Sequence, residues 1–170
     1  ESAVTSRTPA AKLGIANFAT IRPRPCPAKQ TSINDVRVDI ITLFPEVCRV
    51  PLGESMMGRA QESGALELQI HNLRDWTSDR HHIVDDAPFG GGQGMVMKPE
   101  PIFAAVDELQ SKTENRKPKI VLMSPAGRRL DQPMAAEFSK ESQLIMVCGH
   151  YDGVDHRVIE HFVDAEISIG

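Results

Sequence analysis

Apolar residues in this chain are gathered into short runs, among them Asp39-Ile-Ile-Thr-Leu-Phe44, Lys119-Ile-Val-Leu-Met123 and Leu144-Ile-Met-Val-Cys148. Each run has the length of a β-strand, and its apolar residues do not alternate with polar ones. That is the pattern of a strand buried on both faces. Between the runs lie segments that open on Pro45, Pro99, Asp131 with Pro133, or Asp155. Proline suits the first turn of a helix and aspartate caps its free N–H groups, so helices are expected behind these residues. Strands alternating with helices imply an α/β fold, a parallel sheet with helices on both faces. No run approaches the roughly 18 consecutive apolar residues of a membrane span, which excludes a membrane-spanning role.

Strands are read at 36–44, 65–71, 119–123, 143–148 and 163–169. Helices are read at 99–109, at 132–140 and from Asp155 to His161. Residues 46–62 form one broken helix or two short ones, interrupted by Pro51 and Gly53. The strand from Lys119 is expected to stop at Ser124-Pro125-Ala126-Gly127, and residues 79–98 to form a loop. Trp76 is read as a core residue rather than a stacking platform.

Residues 1–35 differ from all that follows. They are rich in Ser, Thr, Ala and Pro and show no sustained periodicity, so they are read as a disordered leader or the remnant of an organelle transit peptide. They carry five basic side chains (Arg7, Lys12, Arg22, Arg24, Lys29) against Glu1 and Asp35, a net +3. The whole 170-residue chain carries −4, which leaves −7 for the domain at 36–170. An acidic domain is poorly suited to sequence-blind nucleic-acid binding, although a particular RNA can still be met through a local basic patch. Cys26, Cys48 and Cys148 are too widely spaced for a zinc site or a disulfide framework, which points to a reducing compartment. The expected location is cytoplasmic for a bacterial protein, and plastid or mitochondrion if the leader is a transit peptide.

In an open parallel sheet, ligands bind beyond the carboxyl ends of the strands. Two loops there carry special chemistry: Ser124-Pro125-Ala126-Gly127-Arg128-Arg129 and Gly149-His150-Tyr151-Asp152-Gly153-Val154-Asp155. Gly127, Gly149 and Gly153 permit close backbone approach to a nucleotide, and equally serve as plain turns. Asp85-Asp86-Ala87-Pro88-Phe89-Gly90-Gly91-Gly92-Gln93-Gly94-Met95 is neither a dinucleotide fingerprint nor a P-loop. Such a dense glycine run must stay mobile or fit against something, and the preceding Arg80-His81-His82 offers donors for phosphate. His81 and His82 diverge, His156 and His161 miss the i, i+4 face, and there is no His-Glu-x-x-His, so no metal is expected. Ser124, followed by proline, is not expected to act as a nucleophile. Arg128 and Arg129 are candidates for substrate contact, with solvated surface charge the competing reading.

Taken in order and spacing, Asp39–Glu46, Asp79–Met95, Ser124–Gln132 and Val147–Val158 resemble the bacterial-type tRNA (guanine-N1)-methyltransferases of the SPOUT class of knotted methyltransferases. The resemblance runs from about Val36 to Gly170. It implies S-adenosyl-L-methionine as methyl donor, tRNA as acceptor and N1 of the guanine 3′-adjacent to the anticodon (position 37 of tRNA) as target. It also implies a homodimer whose active sites are completed by the partner subunit. On this reading Ser124, Pro125, Gly127, Gly149, Tyr151, Asp152, Gly153, Ile169 and Gly170 bind the donor. Asp85, Gly90, Gly91, Gly92 and Gly94 meet the tRNA, and Asp152 positions the reacting groups.

This sequence departs from the family in having Asp152 for the usual Glu, Phe89 for Tyr and Gln93 for Pro. The family continues past the position of Gly170 with a glycine-rich segment that threads the knot. A linker then carries the catalytic aspartate, and a C-terminal tRNA-binding domain follows. Residues 1–170 are therefore expected to form an incomplete knot and to be inactive alone. The competing readings are a SPOUT enzyme acting on another nucleotide, a Rossmann-like nucleotide-binding module, and a catalytically dead interaction domain. The Rossmann reading lacks the required glycines after the first strand.

Overall fold

The computed structural model describes residues 36–88, 90–112 and 117–170. The leader reading of 1–35 and the departure at Phe89 lie outside them. The chain runs β1 (Val36–Thr42), α1 (Pro45–Leu52), α2 (Ser55–Glu62), β2 (Leu66–Asn72), one 3₁₀ turn (Leu73–Trp76), β3 (Asp85–Asp86) and β4 (Val96–Met97). It continues through α3 (Pro99–Ser111), β5 (Lys119–Arg129), α4 (Gln132–Phe138), β6 (Gln143–Cys148), α5 (His156–His161) and β7 (Ala165–Ser168). Five strands form a parallel sheet in the order β2-β1-β6-β5-β7, and β3 and β4 pair separately as an antiparallel hairpin.

Helices cover both faces, and the alternation along β5 shows it. Ile120 and Leu122 join the larger core with Ile102, Val106 and Leu109 of α3 and Val158 of α5. Val121 packs with Met134 of α4 and Ile167 of β7, and Met123 and Phe138 lie against that second cluster. Each such buried side chain contributes roughly 1.5–3 kcal/mol, so two-sided burial is what makes these runs strands. The helix starts follow the expected chemistry. Asp131 accepts a hydrogen bond from the Met134 N–H at 2.9 Å, and Asp155 accepts one from the Arg157 N–H at 2.9 Å. Pro45 and Pro99 occupy first turns.

The broken helix resolves as two, with a tight corner between them: a Cβ on Gly58 would lie 2.5 Å from the Gly53 carbonyl oxygen. Neither α1 nor α2 contains a buried residue, and Val47, Val50 and Met56 are exposed. Trp76 lies half-buried against the larger core and donates its indole N–H to Glu108 at 2.6 Å.

Three expectations need correction. The strand from Lys119 does not stop at Ser124. It bulges between Met123 and Arg128 and then resumes pairing with β7, Arg128 opposite Ile167 and Arg129 opposite Ser168. A bulge accommodates Pro125 and Gly127, two residues that ordinarily end a strand. Residues 79–98 are not wholly loop, because β3 and β4 bracket the glycine run. The first and last strands are shorter than read, ending at Thr42 and confined to Ala165–Ser168.

One buried charge stands inside β1. Asp39 is fully buried and accepts hydrogen bonds from Arg37 (2.8 and 3.0 Å), from His71 Nε2 (2.9 Å) and from Gln143 (2.7 Å). Burial by itself would raise its pKa, but the bonds from His71, Arg37 and Gln143 outweigh that and lower it to about 2. The cluster ties β1, β2 and β6 together.

Candidate functional site

At the bulge of β5 and the carboxyl end of β6 the structure opens a cleft of about 710 Å³. Its walls include Met123, Ser124 and Pro125 on one side and the segment from Gly149 to Val154 on the other, with Leu122, Ile159 and Glu166 below. The volume falls within the roughly 300–1,000 Å³ of small-ligand sites, and the mixture of apolar side chains with loop backbone suits a nucleoside. The strands are adjacent and parallel, with Met123 opposite Cys148, so the bulge of β5 and the loop after β6 lie side by side.

The backbone of the second loop is unusual. Tyr151 has φ 57° and Gly153 φ 131°, both in the left-handed region. At Tyr151, a non-glycine residue, this conformation is strained; such strain persists only where the surroundings enforce it, and it concentrates at functional sites. His150 stacks edge-on between Phe44 (4.9 Å) and Tyr151 (4.8 Å), which joins the end of β1 to this wall.

The predicted donor residues separate into groups. Ser124, Pro125, Gly149, Tyr151, Asp152 and Gly153 line the cleft together. Ile169 and Gly170 instead line a smaller hollow of about 220 Å³, which shares Met123, Ser124 and Pro125 with the cleft. Gly127 lines neither. It packs against β7 so closely that a Cβ would lie 2.5 Å from the Glu166 carbonyl carbon and the Ile167 nitrogen.

The glycine run reaches this site through its final residues. The Met95 N–H donates to Asp152 Oδ2 at 3.1 Å, and the Asp152 N–H donates to the Met95 carbonyl at 3.1 Å. Met97 continues the contact, donating to the Gly153 carbonyl and accepting from the Asp155 N–H. Gly94, at φ 108°, fits against this junction, and a Cβ there would fall on Asp152 Oδ2. Gly90, Gly91 and Gly92 also have positive φ, but they face open space. Asp85 is half-buried in β3, opposite Met97.

Upstream, Asp79 accepts from the N–H groups of Ile83 and His81, which hold its carboxyl below the usual range, Ile83 contributing most. His82, at φ 52°, places Nδ1 2.7 Å from Thr77 Oγ1, so of the Arg80-His81-His82 run it is engaged locally. Arg128 pairs with Asp131 at 3.1 Å on an exposed edge. Among the described residues no group of three His, Cys, Asp or Glu side chains is arranged to hold a metal. Burial, with Cys48 nearby, pushes the Cys148 thiol up to about 11, which removes it as a nucleophile at neutral pH.

Two features of the site had no sequence signal strong enough to find them. Glu166 lines the cleft from β7, and the Met95 N–H reaches across to Asp152.

The model of the family described as tRNA (Guanine-1)-methyltransferase TrmD matches residues 36–170. This chain belongs to that family. Among curated relatives, the tRNA (guanine-N(1)-)-methyltransferases of Bacillus cereus and Bacillus anthracis are each 51% identical over 135 residues, covering 79% of this chain and 55% of theirs. A solved structure, the tRNA (m1G37) methyltransferase from Aquifex aeolicus, superposes with a TM-score of 0.71 at 36% identity. It covers 79% of this chain and 60% of that one. The chain thus spans about half the length of the curated relatives it matches. The parallel sheet with helices is that of a SPOUT-class methyltransferase domain. No helix among the described residues is long and apolar enough to cross a membrane.

Proposed function

We propose that this chain forms the donor-binding part of an S-adenosylmethionine-dependent enzyme that methylates N1 of guanine at position 37 of tRNA. The observation that carries the reading is the junction of Asp152 with Met95. It joins the cleft at the strand ends to the glycine run that the family resemblance assigns to the tRNA. Ser124, Pro125, Gly149, Tyr151 and Gly153 would hold the donor, with Leu122, Val154 and Ile159 beneath its apolar parts. When bound, the donor supplies a methyl group on a sulfonium, already activated for transfer. The protein's share is to orient the guanine, exclude water and have its N1 proton removed. Asp152 contributes by fixing the glycine run rather than by taking that proton, since its Oδ2 is committed to Met95.

The same reading proposes a homodimer, as the family resemblance implies. For residues 1–35 it keeps two readings, a leader without a targeting role or the remnant of an organelle transit peptide, the second supported by their basic, hydroxyl-rich composition. Fusing them to a fluorescent reporter tests the second, and a reporter left in the cytosol counts against it.

Methyl transfer tests the activity directly. The full-length protein should move a labelled methyl group from S-adenosylmethionine to a tRNA transcript carrying guanine at position 37, and not to one carrying adenine there. Equal labelling of both transcripts would favour a SPOUT enzyme acting on another nucleotide.

A further inference from the structure

Of the charged side chains lining the cleft, Asp152 is tied to Met95, and Glu166 has no hydrogen bond or ion pair with any described residue. Glu166 lies opposite Leu122 in the parallel register of β5 and β7. In-register neighbours in a sheet project to the same face. Leu122 belongs to the core under α3 and α5, whereas the next residue, Ile167, belongs to the cluster under α4. The Glu166 side chain therefore leaves the sheet toward Val154 and Ile159, the floor of the cleft. It is half-buried, and among the described residues lining the cleft none is Lys or Arg.

A carboxylate held in a cleft without a countercharge favours a cationic ligand over a neutral one of the same shape. The donor and its demethylated product differ in this respect. S-adenosylmethionine carries a sulfonium, and loss of the methyl group leaves a neutral thioether. We propose that Glu166 is a specificity-determining residue that favours the cationic donor over the neutral product in this cleft. The proposal rests on the donor reading above. It gives Glu166 a part in turnover, because a product that has lost its positive charge is held less tightly and leaves.

Calorimetry on the full-length protein tests it, with S-adenosylmethionine and S-adenosylhomocysteine titrated into wild type, Glu166→Gln and Glu166→Asp. In Glu166→Gln the preference for the donor should fall by about fivefold, with product affinity held within about twofold. Glu166→Asp keeps the charge and should keep most of the preference, and the thermal midpoints of all three proteins should agree. Equal weakening of both ligands in Glu166→Gln would overturn the proposal, because it would mean that Glu166 holds an uncharged part of the nucleoside or supports the fold. Unchanged affinities would overturn it too. A wild-type protein that binds neither compound would overturn the donor reading itself, and the two failures are distinct in the data.

Discussion

Asp152 and Met95 hold each other twice, backbone N–H to carboxylate and backbone N–H to carbonyl, each at 3.1 Å. The two residues are 57 positions apart, and this pair makes the cleft wall and the end of the glycine run one mechanical unit. A carboxylate used in this way is a positioning residue, and that has consequences that differ from those of a base.

Replacing Asp152 separates the two roles. Asn keeps an oxygen that can accept from the Met95 N–H, whereas Ala removes it. A hydrogen bond to a charged group is worth about 1.5–3 kcal/mol, so Asp152→Ala should lower methyl transfer roughly 10- to 100-fold and speed amide exchange at Met95. Asp152→Asn should recover most of the activity and leave the pH–rate profile unchanged. An Asn variant as inactive as the Ala variant, with its acid limb lost, would make Asp152 the base.

Gly94→Ala attacks the same junction from the other side. The new Cβ would fall on Asp152 Oδ2, and the φ of 108° is unfavourable for alanine. Its effect on methyl transfer should therefore overlap with that of Asp152→Ala, the double variant being little worse than either single one. Fully additive losses in a double-mutant cycle would show that the two residues act separately.

Gly127 and Gly149 make a contrasting pair. A Cβ at Gly127 would meet the backbone of Glu166 and Ile167 at 2.5 Å, which no rotamer change can relieve. Gly127→Ala should cost about 1–3 kcal/mol of stability by urea denaturation. At Gly149 a Cβ would make ordinary contacts, 3.4 Å to Val154 and 3.7 Å to the Met123 carbonyl oxygen. Gly149→Ala should keep the stability of the wild type and lose donor affinity, because the space it fills belongs to the cleft. Wild-type affinity in this variant would remove Gly149 from the donor site.

Much of this architecture was legible because its signals are local. Asp131 and Asp155 cap the helices that follow them, and Pro45 and Pro99 start theirs, each within a few residues of the element concerned. The course of β5 past Ser124 was not legible, since Pro125 and Gly127 are read locally as strand breakers and only pairing with β7 carries the chain through them. The cleft was half legible. Loops leaving adjacent parallel strands can be placed from topology, but the contribution of Glu166 depends on register across two strands. Asp39 looked like the edge of an apolar run, because His71 and Gln143 reach it from 32 and 104 residues away.

Asp39 also sets an acid limit on the fold. Its pKa is lowered from 3.8 to about 2, burial raising it and the bonds from His71, Arg37 and Gln143 more than offsetting that. A carboxyl whose folded pKa lies below its unfolded value binds its proton more readily when unfolded. Its stabilising contribution is therefore complete above about pH 4 and is lost as the pH falls toward 2, and the shift corresponds to about 2 kcal/mol. Asp39→Asn should remove that pH dependence and cost about 3 kcal/mol at neutral pH, because it leaves the Arg37 guanidinium facing an amide that cannot balance its charge. Urea unfolding of both proteins at pH 7, 4 and 2.5 measures the difference. It should narrow steadily from pH 4 to 2.5, and a gap that stays constant across this range would mean that Asp39 does not titrate in the folded chain as its hydrogen bonds require.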